Sequence, residues 1–335
     1  MPIGNNRLLN LVRVMAVFAI MIAAVRIAWV SDDALITLRT ALNITNGWGA
    51  GYNATEAVQG YTHPLWFLIW VGIGATTHQW FLGILIVSIL FTGLAVGLIL
   101  WRAVSISRII LATGILLFSN AFMEYSTSGL ENPLAYTGVA LVGVLALTAS
   151  PAPRWSWGLW FGLASAAVVL TRFDLSLAIA PWIVLIAWQL RRSLTVLAVA
   201  VGAVLTPLII WFTWSHLTYA TWLPNTFEAK RNVNIPASEL VTQGFRYLMV
   251  TFEHDPVTLI GLIVGIGAAL LMGNRVIRAG AIGALIYVGY VIWIGGDFMA
   301  GRFLAVPLFL AMLLLVALPA FSSEFTPAGF GAALI

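Results

Sequence analysis

The chain of 335 residues has no cysteine and a single lysine, and only 8% of its residues are charged. Without cysteine there is no disulfide, no thiolate metal site and no cysteine nucleophile. The scarcity of charge excludes a water-soluble globular domain, in which about a quarter of the residues are ordinarily charged. Hydrophobic residues make up 61% of the chain. The composition therefore predicts a polytopic integral membrane protein with an all-α fold.

Three familiar site motifs are also missing: a P-loop, a complete G-x-G-x-x-G and an H-E-x-x-H. Nucleotide binding and zinc-dependent hydrolysis thus lose their usual sequence support. We expect no nucleic-acid partner. The lipid bilayer is the one partner that the composition itself requires.

Eleven apolar runs bounded by charged residues are candidates for membrane helices. The run 64–77 has 14 residues, and as a helix it reaches only about 21 Å, too short for a hydrocarbon core of about 30 Å. We predict that it is a juxtamembrane or re-entrant helix in the first outer loop. The other ten are predicted to cross the membrane: 8–30, 80–101, 109–123, 133–150, 156–171, 175–190, 193–214, 257–273, 279–294 and 304–320.

Basic-only and acid-bearing connections alternate along the chain. The positive-inside rule assigns the basic-only connections to the cytoplasm. Both termini are then cytoplasmic, and the acid-bearing loops face the periplasm or cell exterior of a bacterium. Every acid except Glu324 falls on this outer side.

Two outer segments, 31–63 and 215–256, are long and rich in aromatic residues. Connections of this length are usually functional when they are not disordered. Within the first, we predict a helix from Asp33 to Asn43 with Asp32 as its N-cap. No repeat or linker interrupts the chain, so a single domain over 1–335 is expected, without a soluble C-terminal domain.

The outer loops carry the residues that could perform chemistry. The pair Asp32-Asp33 follows the first span, where partial desolvation suits a general base, although a solvated helix cap explains the pair equally well. Tyr61 and His63 precede the short helix and would form a substrate-facing lip. Glu131 lies in a polar turn between two spans, which is otherwise a simple hairpin.

Two further candidate sites are pairs of charged residues. Lys230 and Arg231 together would bind a phosphate, one as a point charge and the other as a planar fork, unless they only form a solvated loop. Asp297 and Arg302 flank a glycine-rich break between two spans, where they could also simply pair with each other.

Five outer motifs, taken in order, resemble those of GT-C fold glycosyltransferases. The resemblance is particularly to the terminal arabinofuranosyltransferases of mycobacterial cell-wall arabinan and their uncharacterised bacterial relatives. The motifs are Asp32-Asp33-Ala34-Leu35-Ile36-Thr37-Leu38-Arg39, Gly60-Tyr61-Thr62-His63-Pro64-Leu65-Trp66, Thr127-Ser128-Gly129-Leu130-Glu131, Pro224-Asn225-Thr226-Phe227-Glu228-Ala229-Lys230 and Gly295-Gly296-Asp297-Phe298-Met299-Ala300-Gly301-Arg302.

The resemblance implies an inverting transfer of a sugar, such as arabinofuranose, from a polyprenyl-phosphate donor to a hydroxyl of a cell-envelope glycan or lipid. It assigns catalysis to Asp32, with Asp33 second. Together with the charge pairs described above, it gives these candidate substrate-binding residues: Arg39, Tyr61, His63, Glu131, Arg172, Asn225, Lys230, Arg231, Asp297 and Arg302.

The chain departs from this pattern in two places. Where many relatives have Arg-Pro-Glu it has Arg172-Phe173-Asp174, which keeps the charges but not the proline. Relatives also commonly continue into a soluble outer domain, whereas this sequence stops at Ile335.

Other readings stay open at this point. A transporter or flippase of a lipid-linked or charged solute would favour ionisable residues at the membrane midplane and internal symmetry. A non-catalytic scaffold in envelope assembly is a third reading. The sequence assigns no definite cofactor, and metal dependence is equally open, since Asp32, Asp33 and Asp297 could share a divalent cation as easily as act alone.

Overall fold

The structure, a computed structural model, describes residues 3–150, 152–222, 224–225 and 235–319. The described residues are helical and contain no β-strand. Their α-helices are α1 (Ile3–Arg26), α2 (Asp32–Thr45), α3 (Pro64–Thr77), α4 (Trp80–Leu100), α5 (Ile106–Phe118), α6 (Asn120–Glu124), α7 (Asn132–Leu147), α8 (Trp155–Thr171), α9 (Ser176–Leu190), α10 (Leu194–Tyr219), α11 (Ala237–His254), α12 (Pro256–Met272), α13 (Arg275–Trp293) and α14 (Arg302–Ala317).

Five helical stretches of the described chain are long and apolar enough to cross a membrane on their own, and the bent pair α11–α12 would make a sixth. Five more helices are apolar but shorter, among them α3 with its 14 residues. The multi-pass membrane architecture is thus confirmed. The ten predicted crossings are not, and they stay a prediction. The five long stretches are Arg7–Arg26, Trp80–Leu100, Phe173–Leu190, Leu194–Tyr219 and Arg275–Trp293.

Helix α14 forms the centre of the bundle. All of its residues except Phe303 and Ala317 are buried, and it packs against α12, α13 and α7. An apolar helix buried on all sides is typical of the interior of a large membrane bundle. The position of its first residue, Arg302, is therefore set by the core.

Helices α2 and α3 form an outer layer that packs on the spans through a second apolar cluster, which includes Trp66, Phe67 and Trp70. Pro64 begins α3, as the sequence predicts and as suits a residue without an N–H group. The predicted helix in the first outer loop is also present, but its N-cap is Ser31, whose hydroxyl accepts a hydrogen bond from the Ala34 N–H. The prediction of Asp32 as the cap is wrong, because the helix begins one residue earlier.

The structure differs from the predicted segments in two places: one predicted span is broken, and one predicted loop contains a helix. The predicted span 109–123 breaks at Ser119 into α5 and α6, because Ser119 hydrogen-bonds Thr258 and the Ala121 N–H donates to Asp255. The predicted loop 215–256 begins later, since α10 continues to Tyr219, and it contains α11. Asp255 separates α11 from α12, which are bent by 110°.

Candidate active site

A buried carboxylate, that of Glu131, lies at the centre of the candidate site. Its Oε1 is 3.4 Å from Arg302 Nη2 and 3.6 Å from Arg172 Nη1, and its Oε2 is 3.3 Å from His63 Nδ1. Burial by itself would raise the pKa of Glu131, but Arg302, His63 and Arg172 outweigh it and hold that pKa at about 2. The carboxylate is therefore ionised, and it holds the guanidinium groups of Arg302 and Arg172 in place.

The turn before α7 explains how Glu131 comes to be buried. Gly129 adopts a left-handed backbone (φ +75°), which glycine tolerates best, and its carbonyl accepts a hydrogen bond from Trp66 Nε1 at 2.8 Å. The Ser128 carbonyl accepts one from the Ser31 N–H at 2.8 Å. The outer layer thus covers the turn and excludes water from the carboxylate that follows it.

Arg302 joins three carboxylates. Its Nη1 lies 3.2 Å from Asp33 Oδ2 and 3.4 Å from Asp297 Oδ2, while Nη2 faces Glu131. A planar guanidinium with several N–H groups can satisfy several acceptors at once, which an ammonium group does less well. The sequence motifs that carry Asp33, Glu131 and Asp297 therefore meet at one side chain.

Arg172 forms the other wall of the site. It donates to Asp174 through Nε at 3.1 Å and Nη2 at 2.6 Å, and its guanidinium lies 4.3 Å from the centre of the Phe303 ring. The Tyr287 hydroxyl also donates to Asp174, at 3.1 Å. The charges of the Arg-Phe-Asp sequence thus pair with each other, and the same arginine reaches Glu131.

His63 connects Glu131 to the outer layer. Its Nε2 is 2.7 Å from the hydroxyl of Thr37 on α2, and its ring is buried. Burial lowers the pKa of His63, Glu131 raises it, and Arg302 and Arg172 lower it further, with a net decrease. His63 therefore gives up its proton more easily than an exposed histidine does.

The two adjacent aspartates have different surroundings. Asp33 is paired with Arg302, and its side chain is 32% exposed. Asp32 is exposed at the start of α2, where its Oδ1 accepts a hydrogen bond from the Asp33 N–H at 2.9 Å. One aspartate is tied to the cluster and its neighbour is open to an incoming molecule.

Three predicted site residues lie outside this charged cluster and support the loop between α2 and α3. Arg39 donates to the Tyr52 carbonyl, the Tyr61 hydroxyl lies 3.1 Å from that of Tyr219, and Asn225 Oδ1 accepts from the Gln59 N–H at 3.0 Å. Their predicted contacts with substrate stay predictions. Lys230 and Arg231 lie outside the described residues.

The candidate list from the sequence lacks Thr37, Asp174 and Tyr287. Thr37 follows Asp33 by one helical turn and so shares its face, which is a usable signal. Asp174 is two residues from Arg172 and was visible as a charge pair. Tyr287 lies in an apolar run, and no local feature distinguishes it.

The described residues contain no group of three or more His, Asp and Glu side chains placed to hold a metal ion. Asp33 and Asp297 instead share the Arg302 guanidinium. Use of a divalent cation stays a prediction.

The sequence of the chain is similar to that of a characterised glycosyltransferase. It is 27% identical over 340 residues to a terminal β-(1→2)-arabinofuranosyltransferase of Corynebacterium glutamicum, an alignment that covers 87% of this chain and 48% of that protein. It thus spans about half the length of this curated relative. No protein-family model matches the chain.

Two crystal structures share the fold. ArnT from Cupriavidus metallidurans bound to undecaprenyl phosphate superposes with a TM-score of 0.64 at 16% identity, over 97% of this chain and 62% of ArnT. The apo structure of the same protein gives a TM-score of 0.53, again at 16% identity, over 97% of this chain and 61% of ArnT. The resemblance to GT-C glycosyltransferases that the motifs suggested is confirmed, and the chain has the GT-C fold.

Proposed function

We propose that the protein is a membrane glycosyltransferase that moves a sugar from a polyprenyl-phosphate donor to an acceptor hydroxyl with inversion. The observation that carries the proposal is the cluster in which Asp33, Glu131 and Asp297 meet at Arg302, with Asp32 open beside it. The similarity to an arabinofuranosyltransferase and the fold shared with ArnT support the same reaction class.

Asp32 is the proposed general base. An acceptor hydroxyl is a poor nucleophile, and a carboxylate within reach must take its proton as the new glycosidic bond forms. Asp33 suits this role less well, because its charge is engaged with Arg302. Asp32 has an open face, and its backbone is fixed at the start of α2.

The donor phosphate needs positive charge as it leaves. Arg302 and Arg172 already face four carboxylates, those of Asp33, Asp297, Glu131 and Asp174. The described part of the site is therefore rich in negative charge. We expect Lys230, with Arg231 or Arg302, to supply the positive charge that neutralises the phosphate in the transition state.

The sugar and the compartment are also part of the proposal. Arabinofuranose is the favoured sugar, because the curated relative is an arabinofuranosyltransferase. The acceptor would be a cell-envelope glycan or a lipid. The active site would face the periplasm or cell exterior of a bacterial cytoplasmic membrane, with ten crossings and both termini in the cytoplasm.

A reconstitution experiment tests the reaction. The full chain in liposomes is incubated with a panel of polyprenyl-phosphate sugars and an arabinan acceptor, and both free polyprenyl phosphate and the glycosylated acceptor are measured. We expect both products in equal amounts from one donor, and formation of both at least about 10²-fold slower with Asp32→Asn.

The same experiment addresses the two rival functions. A transporter would move the donor across the bilayer without releasing polyprenyl phosphate, and a scaffold would do neither. Either result with folded protein contradicts the proposal. The placement of the charges at helix ends, where α2, α7 and α14 begin, already favours an enzyme over a transporter with charges at the midplane.

A further inference from the structure

Helix α11 has one apolar flank that no other part of the described protein covers. Its inner face is buried through Gly244, Tyr247 and Thr251. Next to that face, Phe245 and Phe252 are 59% and 51% exposed. Met249, between them, is 64% exposed, and the spacing of four and three residues aligns all three along the helix. We call these three side chains the outer flank of α11.

The side of α11 opposite its buried face is polar. Glu239 and Arg246 are exposed there, and Glu253, one turn after Met249, lies at the border with the outer flank. The helix thus has three sides: one against protein, one apolar and uncovered, and one charged. Apolar and charged surfaces separated in this way are typical of helices that lie in the plane of a membrane interface.

The packing of α11 against α13 indicates its depth in the membrane. A Cβ atom on Gly244 would come within 2.1 Å of the Ile292 carbonyl oxygen, so the middle of α11 crosses α13 in close contact at the last turn of α13. Helix α13 is long and apolar enough to span the membrane, and it ends at Trp293, which is 61% exposed. Exposed tryptophan at the end of a span is typical of the headgroup region.

The direction of α11 agrees with this level. Helix α12, which directly follows, is apolar and exposes Ile260, Ile263 and Leu271 on its surface. Because α11 turns away from it by 110°, α11 leaves the direction of the span and extends sideways. The outer flank thus belongs to a helix that runs across the direction of the apolar helix that follows it.

We propose that α11 is an in-plane helix whose outer flank inserts among the lipid chains of the membrane leaflet on the side of the charged cluster. Lipid suits this surface better than a second copy of the chain does. A stable protein interface buries about 800 Å² on each partner, and three side chains beside a charged face supply much less than that.

The insertion matters because the inner face of α11 holds the turn that carries Asp297. The Tyr247 hydroxyl lies 3.4 Å from the Met299 carbonyl and accepts a hydrogen bond from the Phe303 N–H at 3.1 Å. The Tyr247 ring also packs against Gly296. Lipid on one side of α11 and the charged cluster on the other are thus separated by the width of one helix.

The absence of cysteine allows a direct test. A nitroxide spin label is attached to Phe252→Cys in the full chain, reconstituted in phosphatidylcholine liposomes. Collision rates with oxygen, which partitions into lipid, and with a water-soluble nickel chelate are measured. Arg246→Cys, on the charged side of the same helix, is the matched control, and circular dichroism checks that both variants are helical.

We expect the label at 252 to collide with oxygen several-fold more often, relative to the nickel chelate, than the label at 246 does. Its depth should be about 5–10 Å below the headgroup boundary. Equal access of the nickel chelate to both positions would place the flank in water and overturn the proposal. Spin–spin broadening between labels at 252 that persists at low protein-to-lipid ratio would show a second copy on the flank, and would overturn it as well.

Discussion

The carboxylate of Glu131 and the guanidinium of Arg302 lie 3.4 Å apart in the interior, although 171 positions separate them in the chain. Glu131 directly precedes α7, and Arg302 is the first residue of α14. The contact therefore joins the starts of two apolar helices, and it places opposite charges in a region from which water is excluded.

Replacing Glu131 with glutamine should destabilise the protein. The amide keeps the size of the side chain but leaves Arg302 and Arg172 without their shared anion, and breaking a buried ion pair from one side costs about 3–5 kcal/mol. We expect a lower unfolding temperature in detergent. Glu124→Gln, at an exposed position of α6, is the control and should be nearly neutral. Equal effects of the two variants would contradict the central role of Glu131.

Acid should destabilise the protein in two stages. The lowered pKa of His63 means that the unfolded chain binds a proton more readily than the folded one, so stability falls as the pH drops below about 6.5. The pKa of Glu131, held at about 2 by Arg302, His63 and Arg172 against the effect of burial, adds a second loss that begins below about 4.5.

A titration of thermal stability separates these two stages. In His63→Gln the fall that begins near pH 6.5 should disappear, while the fall below about pH 4.5 persists. Besides Glu131, the charged groups that act on His63 are Arg302, Arg172 and Asp33. An unchanged profile in this variant would mean that another group titrates in the upper window.

The two adjacent aspartates should differ in kinetics. Asp32→Asn removes the proposed base and should lower kcat by about 10²–10⁴. Asp33→Asn removes one of the partners of Arg302 and should raise KM more than it lowers kcat. Initial rates of polyprenyl phosphate release measure both. The assignment is reversed if Asp33→Asn abolishes turnover and Asp32→Asn retains it.

Arginine at position 302 should not be replaceable by lysine. An ammonium group keeps the charge but cannot reach Asp33, Asp297 and Glu131 with the same planar geometry. We expect Arg302→Lys to lose at least 10-fold in kcat/KM, with Arg154→Lys, at the exposed far end of α8, unchanged. Wild-type rates in Arg302→Lys would show that only the charge matters.

The contact between α11 and α13 can be tested with two glycines. Gly244→Ala places a methyl group 2.1 Å from the Ile292 carbonyl oxygen and must push the helices apart, at about 1–3 kcal/mol for an overpacked site. Gly289→Ala on α13 meets nothing within 4 Å and should stabilise its helix slightly. Unfolding temperatures compare the two. A neutral Gly244→Ala would mean that the two helices separate easily.

Local signals were enough to predict some of the fold. The length of α3 and its start at Pro64 follow from apolar length and from proline chemistry, and the helix after Asp32 follows from its sequence. The break at Ser119 was not predictable, since it depends on Asp255 and Thr258, which are more than 130 positions away. The Ser31 cap was missed because Asp32 is an equally good capping residue type.

The candidate site was predictable to a similar degree. The motifs placed Asp33, His63, Glu131, Asp297 and Arg302 on one side of the membrane, and the structure brings these residues together. The sequence could not separate them from Arg39 or Tyr61. Both share the same motifs, and only tertiary contacts show that Arg39 and Tyr61 hold the loop.

The burial of α14 has a consequence for how the surrounding membrane acts on this protein. A helix enclosed by other helices does not contact the hydrocarbon directly. A change in bilayer thickness therefore acts on it only through the helices around it. Arg302 begins that enclosed helix. The peripheral helices can tilt to match their lipid environment while the anchor of the charged groups stays at constant depth.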